Sequence, residues 1–422
     1  MKVKASIIAM GLAALASTHA FADVVPVATQ STNELATVLQ LGDRNSATID
    51  QQSSSGDNVS VTQTANKASA TATSQNGSSN LTTISQSNPG GRGSDSNLVA
   101  TVTQQQAVNE KTSISQTGNT SSANVTQTAS TGDKDTVGQV GSGNKATITQ
   151  IGAAGNKVSI DQGTDKSAGK LTGGEAKVVQ TNTVGNTVQV TQGLDHGLAD
   201  VETTGGGNNN TTVTQTGGVT DATVLQTAET GDTVSITQNG AEIAKVFSNN
   251  GGGNNTTITQ TGGVLPNFAQ VVQGNAFNET TTIAQTGAAF NTAYVNQGNT
   301  SGDTAAVSQT GSLNFAATTQ QGGHNDSVSS TQTGTGNNAN FTQLYAVESS
   351  ILSTQNGSQN NATGFQIGAD ESMTLAQDGT ANRIVAMQSG GYNVAGITQA
   401  GAGNYANVSQ TGNSNTASVK QH

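Results

Sequence analysis

The pattern of polar and apolar positions repeats along most of the chain at a spacing of 11 or 12 residues. The unit is clearest over residues 399–410 and 410–421, where glutamine, glycine, asparagine, alanine and valine recur at the same offsets. Self-similarity at so short a period indicates a repeat architecture in which each unit packs on its neighbours. We therefore interpret the chain from Gln40 to Gln421 against this one unit.

Alternation at every second residue predicts that each unit forms a β-strand. In the unit that closes at Gln150, the side chains of Asn144, Ala146 and Ile148 fall on one face and the intervening residues on the other. An apolar residue recurs two positions before the closing glutamine and forms a predicted core stripe. Glycine together with Asn or Asp supplies positive-φ turns between the strands.

The residue four positions before each closing residue alternates between small and larger side chains, as in Ala199, Thr211, Ala222 and Val234. A structural unit of two strands is therefore predicted, with unlike faces meeting across a thin core. Like residues then stack on like residues in successive coils. The predicted fold class is all-β: a parallel, amyloid-like β-solenoid of two-strand coils, about 22–23 residues per coil and roughly sixteen coils in number.

The repeat is uneven in several places. The closing glutamine is interpreted as replaced by Thr203 in one unit and by Asn249 in another, and Gln75 is interpreted as closing a regular unit. Two steps between closing glutamines run to 18 residues, and the segments 88–95 and 163–174 within them are predicted to be enlarged turns, which cost little when their ends stay fixed. Asp135 and Lys245 are interpreted as charges at ladder positions.

The N-terminus has the features of a secretory signal peptide. Lys2 and Lys4 precede an apolar run over residues 7–16, and residues 20–22 form a small-x-small cleavage site. The run is too short for a transmembrane helix, and no later segment is apolar enough to span a bilayer. The predicted domains are a signal peptide at 1–22, a flexible leader with Pro26 at 23–32, and the repeat solenoid at 33–422.

Composition and net charge limit both the kind of core that the chain can form and the kind of partner that it can bind. Hydrophobic residues make up 32% of the chain and charged residues 10%, so a conventional core and charge-driven disorder are both disfavoured. Polar tracts of this kind instead form stacked Asn and Gln ladders. A net charge of -11 disfavours nucleic acid and anionic membranes as partners, and the absence of cysteine excludes disulfides and Cys-based metal sites.

The sequence lacks a convergent set of catalytic groups. His196, His324 and His422 are isolated from one another in sequence. Asp133 and Asp135 flank Lys134, and we interpret them as solvated turn charges. The glycine runs at 205–207 and 251–253 lack a following Lys-Ser/Thr and are predicted to be turns, not phosphate-binding loops. We therefore predict that the protein is not an enzyme and has no cofactor or bound metal.

The unit Gln-x-Gly-x-x-Asn-x-Ala-x-x-x-Gln resembles the curlin repeat of curli fimbria subunits. It is matched in full over residues 40–51, 139–150, 309–320, 332–343, 388–399, 399–410 and 410–421. The start of the predicted mature chain, Asp23-Val24-Val25-Pro26, is also similar to that of the major curli subunit. The residues predicted to form the structural ladder are Gln139, Asn144, Ala146, Ile148, Gln150, Gln309, Asn314, Ala316, Gln320, Gln332, Asn337, Ala339, Gln343, Gln388, Asn393, Ala395, Gln399, Asn404, Ala406, Gln410, Asn415, Ala417 and Gln421.

This resemblance implies a secreted structural subunit that polymerises head to tail into a functional amyloid fibre. Such a fimbrium, or pilus, would lie on the cell surface of a Gram-negative bacterium and would serve biofilm matrix, cell adhesion and surface colonisation. The implied partners are other copies of the chain, a nucleator subunit and an outer-membrane secretion pore.

A monomeric β-solenoid binding protein is the alternative. Outward Thr-x-Thr pairs recur at 147 and 149, at 212 and 214, and at 257 and 259, and a flat array of such pairs is used by some ice-binding proteins. A monomeric adhesin is a second form of this alternative. Lys145, Tyr294 and Asn340 interrupt the array, and threonine is in any case common on exposed strands.

Overall fold

The computed structural model describes residues 23–29, 31–88, 96–163, 173–193, 196–263 and 265–422. Over these ranges every helix or strand element is a β-strand, and 34 strands are present. The predicted signal peptide and most of the two predicted enlarged turns, residues 89–95 and 164–172, lie outside the described residues.

The chain forms two compact units. The first contains residues up to Asn209 together with Val213–Gln215, and the second contains Asn210–Thr212 together with the residues from Thr216 onward. The strands of the first unit are β1 Asp23–Thr29, β2 Leu35–Gln40, β3 Ser46–Gln52, β4 Asn58–Thr64, β5 Ser69–Gln75, β6 Leu81–Ser87, β7 Val99–Gln105, β8 Lys111–Asn119, β9 Ser122–Thr128, β10 Lys134–Ser142, β11 Lys145–Ile151, β12 Lys157–Gln162, β13 Glu175–Thr181, β14 Thr187–Gln192 and β15 Leu198–Thr204.

A further strand, β16 Asn210–Gln215, is divided between the two units. The strands of the second unit are β17 Thr220–Thr227, β18 Thr233–Asn239, β19 Glu242–Asn249, β20 Asn255–Gly262, β21 Asn267–Gly274, β22 Thr280–Ala289, β23 Thr292–Gly298, β24 Thr304–Ser312, β25 Phe315–Gln321, β26 Ser327–Thr335, β27 Asn338–Leu344, β28 Ser350–Ser358, β29 Asn361–Ala369, β30 Ser372–Thr380, β31 Arg383–Gly391, β32 Val394–Ala402, β33 Tyr405–Asn413 and β34 Thr416–Gln421.

Each unit is a parallel β-solenoid. Odd-numbered strands pair with one another in sheet A, and even-numbered strands pair in sheet B. Equivalent residues stack in register; for example, Ala146 pairs with Ala123 on one side and with Ala176 on the other. A coil of two strands typically spans 23 residues, as between Gln116 and Gln139. The predicted fold class is therefore confirmed.

At the inward position four residues before the closing residue, sheet A mostly carries small side chains and sheet B larger ones, with exceptions such as Ala305 in sheet B and Ile384 in sheet A. Ala123, Ala146 and Ala176 line sheet A in the first unit, where Val158 and Val188 occupy the matching positions of sheet B. The second unit repeats the arrangement, and the buried Ile and Val residues of both sheets complete the core. The predicted pairing of unlike faces is confirmed, because a thin core is filled when small residues face larger ones.

Two closing residues were assigned wrongly from the sequence. Ser248, not Asn249, stacks with Gln226 and Gln273 in the ladder, and Asn249 is exposed. Ser74, not Gln75, stacks with Gln51. The inward face follows the two-residue period, so a small serine takes the rung and the neighbouring amide points outward.

Two related predictions have different outcomes. Thr203 does stack on Gln180 and is buried. Lys245 lies on the outer face between the buried Ala244 and Val246, so its predicted ladder position is wrong.

The segment interpreted as a leader contains a strand. Residues of β1 pair with β3, with Asp23 in register with Ser46 and Pro26 in register with Ile49. Proline fits an edge strand whose N–H positions face away from the sheet, because it has no backbone N–H to donate.

The glycine of the repeat is required by close stacking of the turns. Gly334 and Gly357 both have φ of 115°. A Cβ atom on Gly334 would overlap the carbonyl oxygen of Gly357 in the next coil. Only glycine fits this backbone conformation and this close approach together.

Candidate assembly ladders and coil edges

Buried glutamines form hydrogen-bonded ladders through the coils. In sheet B of the first unit, Gln116 Nε2 donates to Gln139 Oε1 at 2.8 Å, and Gln139 Nε2 donates to Gln162 Oε1 at 2.8 Å. Sheet B of the second unit repeats this, and Gln309 Nε2 donates to Gln332 Oε1 at 2.8 Å. Sheet A carries a matching ladder of its own.

These ladders have a single direction. In sheet B the glutamine–glutamine bonds run from Nε2 to the Oε1 of the later coil, and the second Nε2 proton is commonly directed to a backbone carbonyl across the core. In sheet A, Gln51 Nε2 donates instead to Glu34 Oε2, and Gln180 Nε2 and Gln226 Nε2 are buried without a partner. Gln139 Nε2, for example, also donates to Ser122 O at 3.0 Å, and Gln309 Nε2 donates to Thr292 O at 3.0 Å. A ladder built in this way has an acceptor end at its first rung and a donor end at its last.

The first sheet B rung of the first unit and the last sheet B rung of the second unit are complementary. Gln40 Nε2 donates to Gln63 Oε1 at 2.6 Å, while Gln40 Oε1 is buried without a hydrogen-bond partner. At the other end, Gln421 Oε1 accepts from Gln399 Nε2 at 2.7 Å, and Gln421 Nε2 donates to Tyr405 O at 2.9 Å. One Nε2 proton of Gln421 therefore remains available.

The ends of sheet A do not match in this way. Gln410 closes the last rung of sheet A, whereas Ala28 is in register with Gln51 at the first strand and supplies no amide. The Ser46 N–H donates toward the later coil, so by register Pro26 and Ala28 direct their backbone groups away from β3. The first strand of sheet A therefore offers fewer donors than β2.

Two columns of turn residues accompany the ladders. The asparagine column lies at the start of the sheet A strands of the second unit, and its asparagines are Asn267, Asn291, Asn314, Asn337, Asn360, Asn382 and Asn404. Glu242 occupies the rung before Asn267, where its Oε2 accepts the Asn267 N–H at 3.1 Å. Asn314 Oδ1 accepts from the backbone N–H of Asn337 at 3.1 Å, and Asn337 Nδ2 donates to Thr333 O and Gly357 O, each at 3.1 Å. The amide of Asn337 is thus used on both sides.

The acid-rich column precedes the sheet B strands. Its members are Glu34, Asp57, Asn80, Glu110, Asp133, Asn156, Asn186 and Asn209 in the first unit, and Asp232, Asn254, Glu279, Asp303, Asp326, Ser349, Glu371, Asn393 and Asn415 in the second. The same stacking bond recurs: the Asp133 N–H donates to Glu110 Oε2 at 2.9 Å and the Asn156 N–H donates to Asp133 Oδ1 at 2.7 Å.

The interpretation of Asp133 and Asp135 as solvated turn charges is wrong. Both side chains are only 1% exposed, and Asp135 occupies an inward ladder position in register with Thr112 and Val158. Lys134 between them is exposed on the outer face. The alternation that places Lys134 outside necessarily places its two neighbours inside.

Burial perturbs these carboxyls. Burial, with the nearby charge of Asp133, raises the pKa of Glu110 to about 8, and burial raises the pKa of Asp133 to about 6. The pKa of Asp135 lies well above its usual value because of burial and then the charges of Asp133 and Glu110. In the second unit, burial with the charge of Asp303 raises the pKa of Glu279 to about 8.

The residues predicted as the structural ladder fall on these columns and faces. The glutamines and the Ala and Ile residues of that set up to Gln410 are buried, as are Asn144, Asn314, Asn337 and Asn393. In the last coils, Asn404, Ala417 and Gln421 are partly buried and Asn415 is exposed. The predicted structural ladder does not include the carboxyls that occupy asparagine positions. Their spacing of 22 to 25 residues from the neighbouring turn residues marks them as equivalent to those asparagines.

Over the described residues, the fold does not bring together the side chains needed for the other candidate functions. Over the described ranges, no group of three or more His, Asp or Glu residues is arranged to hold a metal ion. The described residues also contain no helix with the length and hydropathy needed to cross a bilayer. The outward pair Thr147 and Thr149 lies in sheet A, whereas the pairs at 212 and 214 and at 257 and 259 lie in sheet B, so they do not share one face.

Stacked two-strand coils with internal amide ladders define a repeat protein of the β-solenoid class. Residues 379–412 and 397–422 match the sequence model of the curlin-associated repeat. The C-terminal coils are therefore similar to curlin-associated repeats. A comparison with the curated proteins finds no match. The repeat family and the fold both point to a structural protein and not to an enzyme.

Proposed function

We propose that the chain is an exported structural subunit that polymerises end to end into a curli-like amyloid fibre. The observation that carries the proposal is the single direction of the glutamine ladder. Its first rung leaves a buried acceptor, Gln40 Oε1, and its last rung has a spare donor at Gln421 Nε2. A self-complementary head-to-tail contact that does not close generates a filament.

The register of the join follows from the register within each unit. Strand β34 of one copy would pair with β2 of the next, placing Gln421 opposite Gln40 and Thr416 opposite Leu35. The turn columns continue across the same join, because Asn415 Oδ1 would accept the backbone N–H of Glu34, as Glu34 Oε2 accepts that of Asp57 at 3.1 Å. Sheet B therefore contributes more hydrogen bonds to the join than sheet A.

The fibre would act outside the cell. The signal-peptide pattern of residues 1–22 favours export, and the curlin-repeat match favours a cell-surface fibre of a Gram-negative bacterium. Biofilm matrix, adhesion and surface colonisation are the roles that we propose for it. A nucleator subunit and an outer-membrane pore are the partners we propose, on the resemblance to curli subunits.

The first experiment incubates the purified mature chain and follows thioflavin fluorescence and electron micrographs. We expect unbranched fibres, and Gln40→Leu should slow elongation about five- to tenfold, since roughly one net hydrogen bond is lost at each join. Gln105→Leu is the matched control, because Gln105 is exposed on the outer face and should not alter the rate. A mature chain that stays monomeric, or equal rates for both variants, would contradict the proposal.

The cellular role is tested separately. Deleting the gene should reduce Congo red binding and attachment to surfaces, because the matrix would lose its fibre. Unchanged binding and attachment, with fibres still formed by the purified chain, would leave polymerisation in place and remove the matrix role.

A further inference from the structure

The acid-rich column holds two kinds of side chain at one structural position. At two of the asparagine positions, the Nδ2 donates to a backbone carbonyl of the next coil: Asn80 to Ala107 O and Asn254 to Ala276 O, both at 3.0 Å. The Oδ1 of Asn80 accepts the stacking N–H of Glu110 at 3.0 Å. Both ends of the Asn80 amide are therefore satisfied, whereas Asn186 Nδ2, in the same column, is buried without a partner.

In Asp133 only one carboxyl oxygen is satisfied, whereas in Asp57 and Asp232 the second oxygen accepts from the hydroxyl of Ser74 and of Ser248, respectively. Asp133 Oδ1 accepts the Asn156 N–H, while Asp133 Oδ2 is buried without a partner. The same holds for one oxygen in each of several other members, namely Glu34 Oε1, Glu110 Oε1, Glu279 Oε1, Asp303 Oδ2 and Glu371 Oε2. A side-chain hydroxyl lies beside three of these carboxyls, from Ser54 at Glu34, from Ser130 at Glu110 and from Thr300 at Glu279. A charged carboxylate can only accept hydrogen bonds, whereas a neutral carboxylic acid also has an O–H to donate.

Among the described residues, no cationic side chain is placed against Glu110, Asp133 and Asp135. The polar groups that face them are Gln127, whose Nε2 donates to Glu110 Oε2 at 2.9 Å and to Asp135 Oδ2 at 3.1 Å, and the Ser130 hydroxyl beside Glu110. The titratable groups there are the three carboxyls themselves. Lys111 and Lys134, which follow Glu110 and Asp133 in sequence, are exposed on the outer face.

A second cluster in the other unit has the same character. Glu279, Asp303 and Asp326 occupy successive coils, and the Asp326 N–H donates to Asp303 Oδ1 at 2.9 Å. Gln297 Nε2 donates to Glu279 Oε2 at 3.2 Å. The exposed His324 lies near enough to influence Asp303, and it is the basic group that acts on this cluster.

A proton fits these sites better than a metal ion. The described carboxyls are not grouped in threes around a point that a cation could occupy. Each orphaned oxygen is instead buried singly, one coil from the next, where one added hydrogen neutralises it. We infer that the carboxyls of the two clusters, Glu110 with Asp133 and Asp135, and Glu279 with Asp303 and Asp326, are packed in their neutral form, so that folding and stacking of these coils takes up protons from solution.

The direction of the pH dependence follows from the folded-state pKa values. Those of Glu110 and Glu279 are raised by burial to about 8, and that of Asp326 is raised by burial to about 7. A carboxyl whose pKa is raised on folding stabilises the folded state most below its unfolded pKa, and that contribution is lost as pH rises through the folded pKa. Within that window, each such group changes the folding equilibrium by up to about tenfold per pH unit.

The test measures protons taken up when the soluble mature chain refolds, so it does not depend on fibre formation. The chain is diluted from denaturant into weakly buffered indicator dye at pH 6.5. Wild type should take up several protons per chain. The variant Glu110→Gln/Asp133→Asn/Asp135→Asn should take up about two fewer, since neutral isosteres hold no proton.

Two further variants separate the column from general charge effects. Glu279→Gln/Asp303→Asn/Asp326→Asn, in the other unit, should also take up about two fewer protons. The control Asp43→Asn/Glu202→Gln/Glu348→Gln removes three exposed carboxyls and should match wild type. Refolding of wild type without proton uptake would overturn the inference, as would equal uptake by the control and by the two column variants.

Discussion

The two turn columns of the second unit lie in the same coils and use the same stacking hydrogen bond, yet they differ in how well their polar atoms are paired. In the asparagine column, both polar atoms of the Asn337 amide are paired. Its Oδ1 accepts the Asn360 N–H, and its Nδ2 donates to the carbonyl oxygens of Thr333 and Gly357. Glu279 in the acid-rich column leaves one buried oxygen without a partner. The coil geometry thus tolerates amide, acid or hydroxyl at a turn, and the choice among them sets how stability responds to pH.

Placing an acid in the asparagine column should have the largest effect. Asn337→Asp would turn an oxygen toward the Thr333 and Gly357 carbonyls, and we expect a loss of about 3 kcal/mol at pH 8, in the range for an unsatisfied buried charged group. At pH 5 the loss should be smaller, because the acid can protonate. Urea denaturation at both pH values measures it. Asn340→Asp, on the exposed outer face, is the control and should have little effect.

The reverse substitution in the acid-rich column should give a smaller gain in stability. Asp326→Asn supplies an amide nitrogen where an acid now stands, and burial raises the pKa of Asp326 to about 7. Since a raised folded-state pKa costs stability as pH rises through it, the variant should be more stable than wild type by about 1–2 kcal/mol at pH 8. At pH 5 the difference should shrink, and a constant difference at both pH values in urea denaturation would count against titration as its cause.

A charge on the outer face should matter least. Lys145 Nζ lies 2.6 Å from Glu175 Oε1, but both side chains are about half exposed, at 57% and 46%. Lys145→Ala should cost less than about 0.5 kcal/mol, because exposed ion pairs contribute little and are screened by salt. If Lys145→Ala cost as much stability as Asn337→Asp, solvent exposure would not explain why substitutions in the turn columns and on the outer face differ in their effect.

Much of this fold is predictable because one period fixes several features together. The recurrence of Gln, Ala and Ile or Val at two-residue offsets defines which face is buried, and the alternation of Ala199, Thr211 and Ala222 defines a two-strand coil. Parallel stacking then follows, since the same residue recurs once per coil. Each of these inferences depends on side-chain size and periodicity, which local sequence reports directly.

The wrong predictions concern a position where the spacing of 11 residues and the two-residue alternation disagree, and carboxyls that the fold buries. Asn249 lies 11 residues from Gln238 and from Gln260, but Ser248 is the residue in phase with the buried Val246. Asp133 and Asp135 flank a lysine next to a turn, where carboxylates are usually exposed. Asp133 Oδ1 accepts the Asn156 N–H of the next coil, and a single repeat does not show such a bond.

The central claim, that one copy continues the ladder of another through sheet B, is tested most directly by cross-linking. The chain has no cysteine, so one chain can carry Leu35→Cys and another Thr416→Cys, both at exposed outward positions. If β34 pairs with β2 in the register Thr416 to Leu35, fibres grown from the mixture place the two Cα atoms about 4.8 Å apart, within disulfide range. We predict disulfide-linked dimers in that mixture, and none when Leu35→Cys is mixed with Lys420→Cys, four residues out of register. Fibres without the first cross-link, or with both cross-links equally, would contradict the claim.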